Sequence, residues 1–432
     1  MTGARSERAA LIALAAPLAA QQVGNQLMGM VDAGMLGRYS DAALAGAGLG
    51  NNLLFAITSI GLGIVMGLDT VVPQALGAGR IADARRAVGA GVRLAILVGL
   101  MATLLVFATP LLMDVVGVDA EVLHEARPYI YLRAIGIVPF LVTVAFRSFL
   151  ASHHKTRPLV IAVIIGNIAN AILDYVLIFP LGLGVLGAAL ATTFVQLMTV
   201  VLYVAASRSL YDDPAPTSTS ADLREVLRYG GPVGGQIFAE VCIFGVATVI
   251  AAHLGELDAA AHSIALNIAS FTFSFSVGVA SATSVLVGHA VGAGDLRLAR
   301  ARGLLGIRVG LSVMACFAAA FLLIPAAIAH AFTNDTAVIA ATVPLLYIAA
   351  LFQLSDGTQS IGAGALRGLG QTRATLWANL VGHYAIALPL IFLLGFRLEL
   401  GIVGVWWALS VGLTATGVYL VFLFLRGTRL AT

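Results

Sequence analysis

The chain is written twice. The segment Ala-Leu-Gly-Ala-Gly-Arg-Ile-Ala-Asp-Ala-Arg-Arg that starts at Ala75 returns as Ala-Val-Gly-Ala-Gly-Asp-Leu-Arg-Leu-Ala-Arg-Ala at Ala290. Pro17 and Pro232 each lie in the apolar helix that opens a half, and they stand 215 positions apart, as do Gly79 and Gly294. Lys155-Thr-Arg returns as Gln371-Thr-Arg at an offset of 216. A chain of 432 residues that repeats at half its length folds as two like lobes. When such lobes are embedded in a membrane, the usual reason is a substrate cavity between them.

Composition supplies the membrane. Hydrophobic residues make up 60% of the chain and charged residues 10%, against roughly 25% charged in soluble domains. Apolar runs long enough to cross roughly 30 Å of hydrocarbon follow one another almost without a break. Only helices or closed barrels satisfy the backbone there, and these runs are helical in length. Hydropathy and the Gly, Pro and polar breaks predict an all-α integral membrane fold of about twelve transmembrane helices. They fall near residues 8–37, 42–75, 83–110, 120–151, 157–180, 184–208, 224–254, 258–291, 298–330, 337–368, 372–396 and 401–426. The expected organisation is an N-lobe over 1–208 (helices 1–6), a polar linker over 209–223, and a C-lobe over 224–432 (helices 7–12).

Arginine placement orients the chain. Arg5 and Arg8, then Arg80, Arg85 and Arg86, then Lys155 and Arg157, then Arg297, Arg300 and Arg302, then Arg373 mark alternate ends. By the positive-inside rule both termini are cytoplasmic and the lobes are parallel repeats. The net charge of +3 does not call for nucleic acid, because the basic residues are spread among loops. Cys242 and Cys316 lie in apolar runs and build neither a disulfide framework nor a metal site. His124-Glu-Ala-Arg-Pro128 lacks the second histidine of a zinc-protease motif, and there is no Walker sequence. No nucleophile–base constellation appears either. The expectation is therefore a non-enzyme without a cofactor.

Four carboxylates fall inside predicted spans, where such a group is costly: Asp32, Asp174, Glu240 and Asp356. Each has polar neighbours at helical spacing. Gln21, Asn25 and Asp32 lie within about 40° of one another on helix 1. Asn167, Asn170 and Asp174 share a face of helix 5, Gln236 precedes Glu240 by one turn, and Gln353, Asp356 and Ser360 form one stripe. Helix 8 carries Asn267, Ser270, Ser274 and Ser281, and Asn379 and His383 share a face of helix 11. These stripes read either as cavity lining or as interhelical glue. Each carboxyl group can exchange a proton or hold Na⁺ with nearby amide and hydroxyl oxygens. Met28, beside one stripe, offers an adaptable apolar surface or core filling. Asp69 reads as a cap or as the partner of a loop arginine. The carboxylates do not repeat between halves: Asp32 falls opposite Ala247 and Asp174 opposite Leu390.

These residues resemble the multidrug and toxic compound extrusion (MATE) transporters, along essentially the whole chain. The likeness rests on Met30-Val-Asp32-Ala-Gly-Met-Leu-Gly, on Gly67-Leu-Asp-Thr-Val-Val-Pro-Gln-Ala-Leu-Gly-Ala-Gly and on Phe238-Ala-Glu240-Val. Gln353-Leu-Ser-Asp356-Gly-Thr-Gln and Gly364-Ala-Leu-Arg-Gly-Leu-Gly-Gln-Thr-Arg complete it. The resemblance implies a V-shaped pair of six-helix lobes exporting small organic cations in exchange for H⁺ or Na⁺. It implies that Asp32, Asn170, Asp174 and Thr192 form an N-lobe cation site, a possible Na⁺ site among them. It also implies that helix 1 bends at Pro17, and that Glu240 and Asp356 are the C-lobe carboxylates of the NorM-type and eukaryote-like branch. Gln21, Asn25, Met28, Gln236, Asn267, Ser274 and Gln353 are the expected substrate-cavity residues. The expected setting is the bacterial inner membrane, with the protein a monomer in the lipid bilayer. The alternative reading is a flippase or exporter of a lipid-linked or other metabolite.

Overall fold

The computed structural model describes residues 2–116, 119–210 and 217–429, and of the predicted linker residues 211–216 lie outside the described residues. Among the described residues the chain forms helices and turns only. The first half contains α1 (Thr2–Tyr39), α2 (Asp41–Val65), α3 (Leu68–Gly77), α4 (Ile81–Val116), α5 (Ala120–Ile135), α6 (Ile137–Ser152), α7 (Arg157–Ile178) and α8 (Val185–Ser207). The second half contains α9 (Ser220–Leu254), α10 (Glu256–Gly292), α11 (Leu296–Leu323), α12 (Pro325–His330), α13 (Thr336–Gly368) and α14 (Thr372–Leu380). Past α14 the span continues through π-helical turns at Val381–Ala387 and Ile391–Arg397, which flank α15 (Leu388–Leu390); α16 (Gly401–Gly427) follows.

Among the described residues, ten helical spans are long and apolar enough to cross a membrane, and α5 with α6, bent by 43°, makes an eleventh. Helix α1 falls outside that set although it is 38 residues long, because Gln21, Gln22, Asn25, Gln26 and Asp32 interrupt its apolar run. With α1 counted, the spans are the twelve read from hydropathy. Local chemistry explains the departures from simple helices. Pro389 lacks an N–H and its ring crowds the carbonyl of residue 385, and the span widens into π turns on either side of it. Pro325 begins a new short helix after α11 ends at Leu323, so the predicted helix 298–330 is two pieces. Helix α9 starts at Ser220, inside the predicted linker: Thr219 N donates to Asp222 Oδ2 (2.7 Å) while Asp222 N donates to Thr219 Oγ1 (3.3 Å), a reciprocal cap.

The chain separates into two compact units, and they do not coincide with its two halves. One unit is Ala20–Gly234; the other is Met1–Ala19 with Gly235–Thr432. The opening stretch of each half is therefore exchanged, and the two cuts, after Ala19 and after Gly234, stand one repeat apart at 215. Each lies two residues beyond the proline, Pro17 or Pro232, and both helices run unbroken through it.

Equivalent contacts hold each exchanged stretch. In the first unit a Cβ on Gly63 of α2 would lie 2.3 Å from the Gly234 Cα. In the second a Cβ on Gly278 of α10 would lie 2.4 Å from the Ala19 Cα. Gly63 and Gly278 are 215 apart, and so are Ala19 and Gly234. Only absent side chains permit this backbone approach, which is how helices associate where lipid removes the hydrophobic drive. An acid one or two turns into each stretch then binds arginine. Glu7 takes a forked contact from Arg302 (2.8 and 3.2 Å), and Asp222, again 215 positions on, pairs with Arg86 at 3.6 Å. Arg93 adds a bond to the Ser218 carbonyl at 2.7 Å.

Candidate functional site

Among the described residues, carboxyl groups set into the helices gather in two clusters, one in each unit, all buried except the half-buried Glu240. In the Ala20–Gly234 unit, α1, α7 and α8 bring Asp32, Asp174 and Thr192 together. The Thr192 hydroxyl is 2.9 Å from Asp32 Oδ2 and 3.0 Å from the Ala188 carbonyl, and its single hydrogen serves one at a time. The carboxyl of Asp174 faces that of Asp32. Asp174 and Asn170 are fully buried and Asp32 is 9% exposed. Asn170 lies one turn before Asp174, on the same face of α7. Neither oxygen of Asp174 receives a hydrogen bond, nor does Asp32 Oδ1, and both ends of the Asn170 amide lack a partner. A carboxylate buried without donors is costly, and here two stand side by side.

Sequence reasoning missed the fifth member, Tyr129 of α5. It is buried, within electrostatic reach of both acids, and hydrogen-bonded by Arg133 one turn along its own helix. The i, i+4 spacing of a Tyr and an Arg in an apolar span was the available signal. Asp69, read as a cap or the partner of a loop arginine, instead meets a helix: it lies 3.6 Å from Arg147 on α6 and accepts from the Ser148 hydroxyl.

The second cluster, in the unit containing Gly235–Thr432, is built differently. Glu240 Oε1 accepts from Gln236 Nε2 at 3.1 Å and from Gln359 Nε2 at 2.5 Å. Asp356 of α13 is buried and within electrostatic reach of Glu240, as is the Arg367 guanidinium. Gln359 also donates to Asn379 Oδ1 at 3.0 Å. Farther along, His383 in the first π turn is fully buried with neither ring nitrogen hydrogen-bonded. Its ring centre lies 6.4 Å from that of Phe244.

The expected cavity residues divide. Gln21 and Gln236, one repeat apart, are both buried with an unpartnered Oε1. Asn25 is exposed and Met28 half-buried. Gln353 ties α13 to α10, donating to the Thr272 hydroxyl and to the Ala269 carbonyl (3.3 Å). Asn267 and Ser274 bond back to carbonyls of their own helix.

The MatE family profile matches residues 17–176 and 232–393, one stretch in each half, starting at the two repeated prolines. The chain belongs to the MATE family. A MATE relative in Pseudomonas putida, named "Probable multidrug resistance protein NorM", is 34% identical over 435 residues, covering 97% of this chain and 94% of its own. One of the same name in Deinococcus radiodurans is 32% identical, covering 98% and 96%. Among solved structures, the eukaryotic MATE transporter AtDTX14 superposes with a TM-score of 0.91 at 21% identity, over 99% of this chain and 98% of that one. An outward-facing multidrug resistance MATE family transporter of the MOP superfamily gives 0.88 at 20% identity, over 98% and 95%. These two share the fold. The protein is thus a multi-pass membrane transporter of the MATE multidrug efflux family.

Proposed function

We propose that this transporter exports amphipathic organic cations from the bacterial cytoplasm across the inner membrane in exchange for H⁺ or Na⁺, and that Asp32 and Asp174 carry the coupling ion. One observation carries the reading: three carboxylate oxygens of that pair have no donor although the site is buried. A proton shared by the two carboxyl groups relieves the repulsion and supplies the missing donor. Na⁺ fits the same atoms, since Asp32 Oδ1, the Asp174 oxygens, Asn170 Oδ1 and Thr192 Oγ1 are all hard oxygen ligands of the kind such a cation takes.

Glu240 and Asp356 act as counter-charge for the organic cation in the other unit. The arginine-rich ends around Arg80–Arg86 and Arg297–Arg302 lie at the cytoplasmic face, by the bias that sets membrane orientation. Exchange follows without ATP: loading the acid pair and loading the substrate favour different conformations, and each shifts the equilibrium only by its differential affinity for them.

The test is uptake of ethidium into proteoliposomes under an imposed pH gradient or an imposed Na⁺ gradient, for wild type and Asp32→Asn. Transport driven by one gradient and lost in the variant supports the coupling role and names the ion. Full transport by Asp32→Asn sinks it. No ethidium movement under either gradient sinks the organic-cation reading and favours a lipid-linked or other metabolite.

A further inference from the structure

Two amide side chains hydrogen-bond to Glu240 and a third orients one of them, and these hydrogen bonds all run in one sense. Asn379 Nδ2 donates to the backbone carbonyl of Thr375 at 3.0 Å, which fixes the Asn379 amide with its oxygen turned the other way. That oxygen accepts from Gln359 Nε2 (3.0 Å), and the same Nε2 donates its second hydrogen to Glu240 Oε1 (2.5 Å). Gln236 brings a second donor to the same Oε1 at 3.1 Å. Asn379 and Gln359 are buried, at 0% and 2% exposure. No amide in this chain can flip without facing oxygen with oxygen, so the backbone of α14 dictates the donor that reaches α9, across α13.

We infer that Gln359 and Asn379 are positioning residues for the organic cation: they clamp Glu240 through Oε1 and leave Oε2 as the atom that meets the substrate. With both donors spent on one oxygen, the carboxylate is held in a single orientation, and the charge on Oε2 is available to an ammonium or aromatic cation without prior rearrangement. The last amide, Asn379, lies two residues before the π-helical stretch Val381–Ala387, whose Tyr384 hydroxyl donates to the Ala239 carbonyl at 2.9 Å, next to Glu240. The π continuation of α14 thus holds the α9 backbone one residue before the acid, while α14 itself acts on the acid only through Gln359 of α13. A π turn is a frequent companion of functional sites, and here it anchors the backbone beside the carboxylate.

The inference rests on Glu240 being the counter-charge for the organic cation, and the experiment separates the two. Initial rates of ethidium transport in proteoliposomes are measured for Glu240→Gln, Gln359→Leu, Asn379→Leu and Asn379→Asp, the last keeping an oxygen for Gln359 to donate to. Releasing the clamp makes binding order the Glu240 side chain anew, so KM for ethidium rises about fivefold in Gln359→Leu and in Asn379→Leu. Vmax stays near wild type and Asn379→Asp recovers most of the KM. A fall in Vmax at unchanged KM in both leucine variants, or no rescue by Asn379→Asp, overturns the positioning role. Wild-type KM in Glu240→Gln overturns the reading beneath it. If Gln359→Leu does not fold, the Asn379 pair decides alone.

Discussion

The two buried acid clusters differ in how they are served by donors. At Asp32 and Asp174 three carboxylate oxygens and both ends of Asn170 go without a hydrogen bond. At Glu240 two amide nitrogens converge on one oxygen, and one of those amides is itself oriented by a third. Asp174 is fully buried and Glu240 half-buried, but the sharper difference is one of chemistry. On the proposed reading, the coupling ion completes the site that its own side chains leave short of donors, and the site held by fixed amides offers its charge to the organic cation. The repeated architecture thus carries two chemically different clusters.

The contrast is sharpest if one acid is neutralised on each side. Asp174→Asn is expected to lower gradient-driven ethidium transport about a hundredfold, since a carboxylate placed inside a membrane span is there for function. The same variant should melt higher in detergent, by an amount near 1–2 kcal/mol (an order-of-magnitude figure from the cost of a donorless acceptor). A lower melting temperature would mean that the acid pair is structural glue. Glu240→Ala should do the opposite to stability: it strands the Gln236 and Gln359 amides and costs about 2–3 kcal/mol, read as a depressed melting temperature. An unchanged melt would break the distinction between the two clusters.

A second comparison concerns the exchanged stretches, which the structure holds in equivalent ways. Gly63→Ala and Gly278→Ala each push a methyl into a backbone and should cost about 1–3 kcal/mol, to similar extents, because the contacts are related by the repeat. A large effect at one site and none at the other would show that the equivalence is geometric only. The smallest effects belong to the ion pairs. Arg302→Ala should cost about 1 kcal/mol, since its pair with Glu7 is forked and short, and Arg86→Ala about 0.5 kcal/mol, since it loses a 3.6 Å pair with Asp222 and a partly exposed 2.6 Å pair with Asp83 of its own helix. Both losses should shrink with added salt.

Much of this was legible in the residues. The offset of 215, the twelve spans and the positions of Asp32, Asp174, Glu240 and Asp356 all follow from spacing and hydropathy, because each depends on neighbours along the chain. The exchange of opening stretches was half visible. Glu7 and Asp222 obey the same offset as the prolines, yet nothing local says that each binds an arginine in the opposite half. Gln359 was quoted in a motif, but not as a partner of Glu240, for the two are 119 positions apart. Tyr129 escaped for the same reason, its relation to Asp32 being visible only after α5 packs. The π turns had Pro389 as a sign, but proline reads equally as a kink. What sequence withholds is which helix faces which, and both clusters are made by that choice.

The exchange also has a consequence in time. Ala19 leaves the ribosome long before Gly278, against which it packs; at 5–20 residues per second the interval is roughly 10–50 s. By contrast Gly230–Gly234, as they emerge, find the Ile60–Ile64 backbone that receives them already in place. Ala19 thus cannot be seated until α10 has been made, whereas Gly234 meets its partner backbone as it emerges.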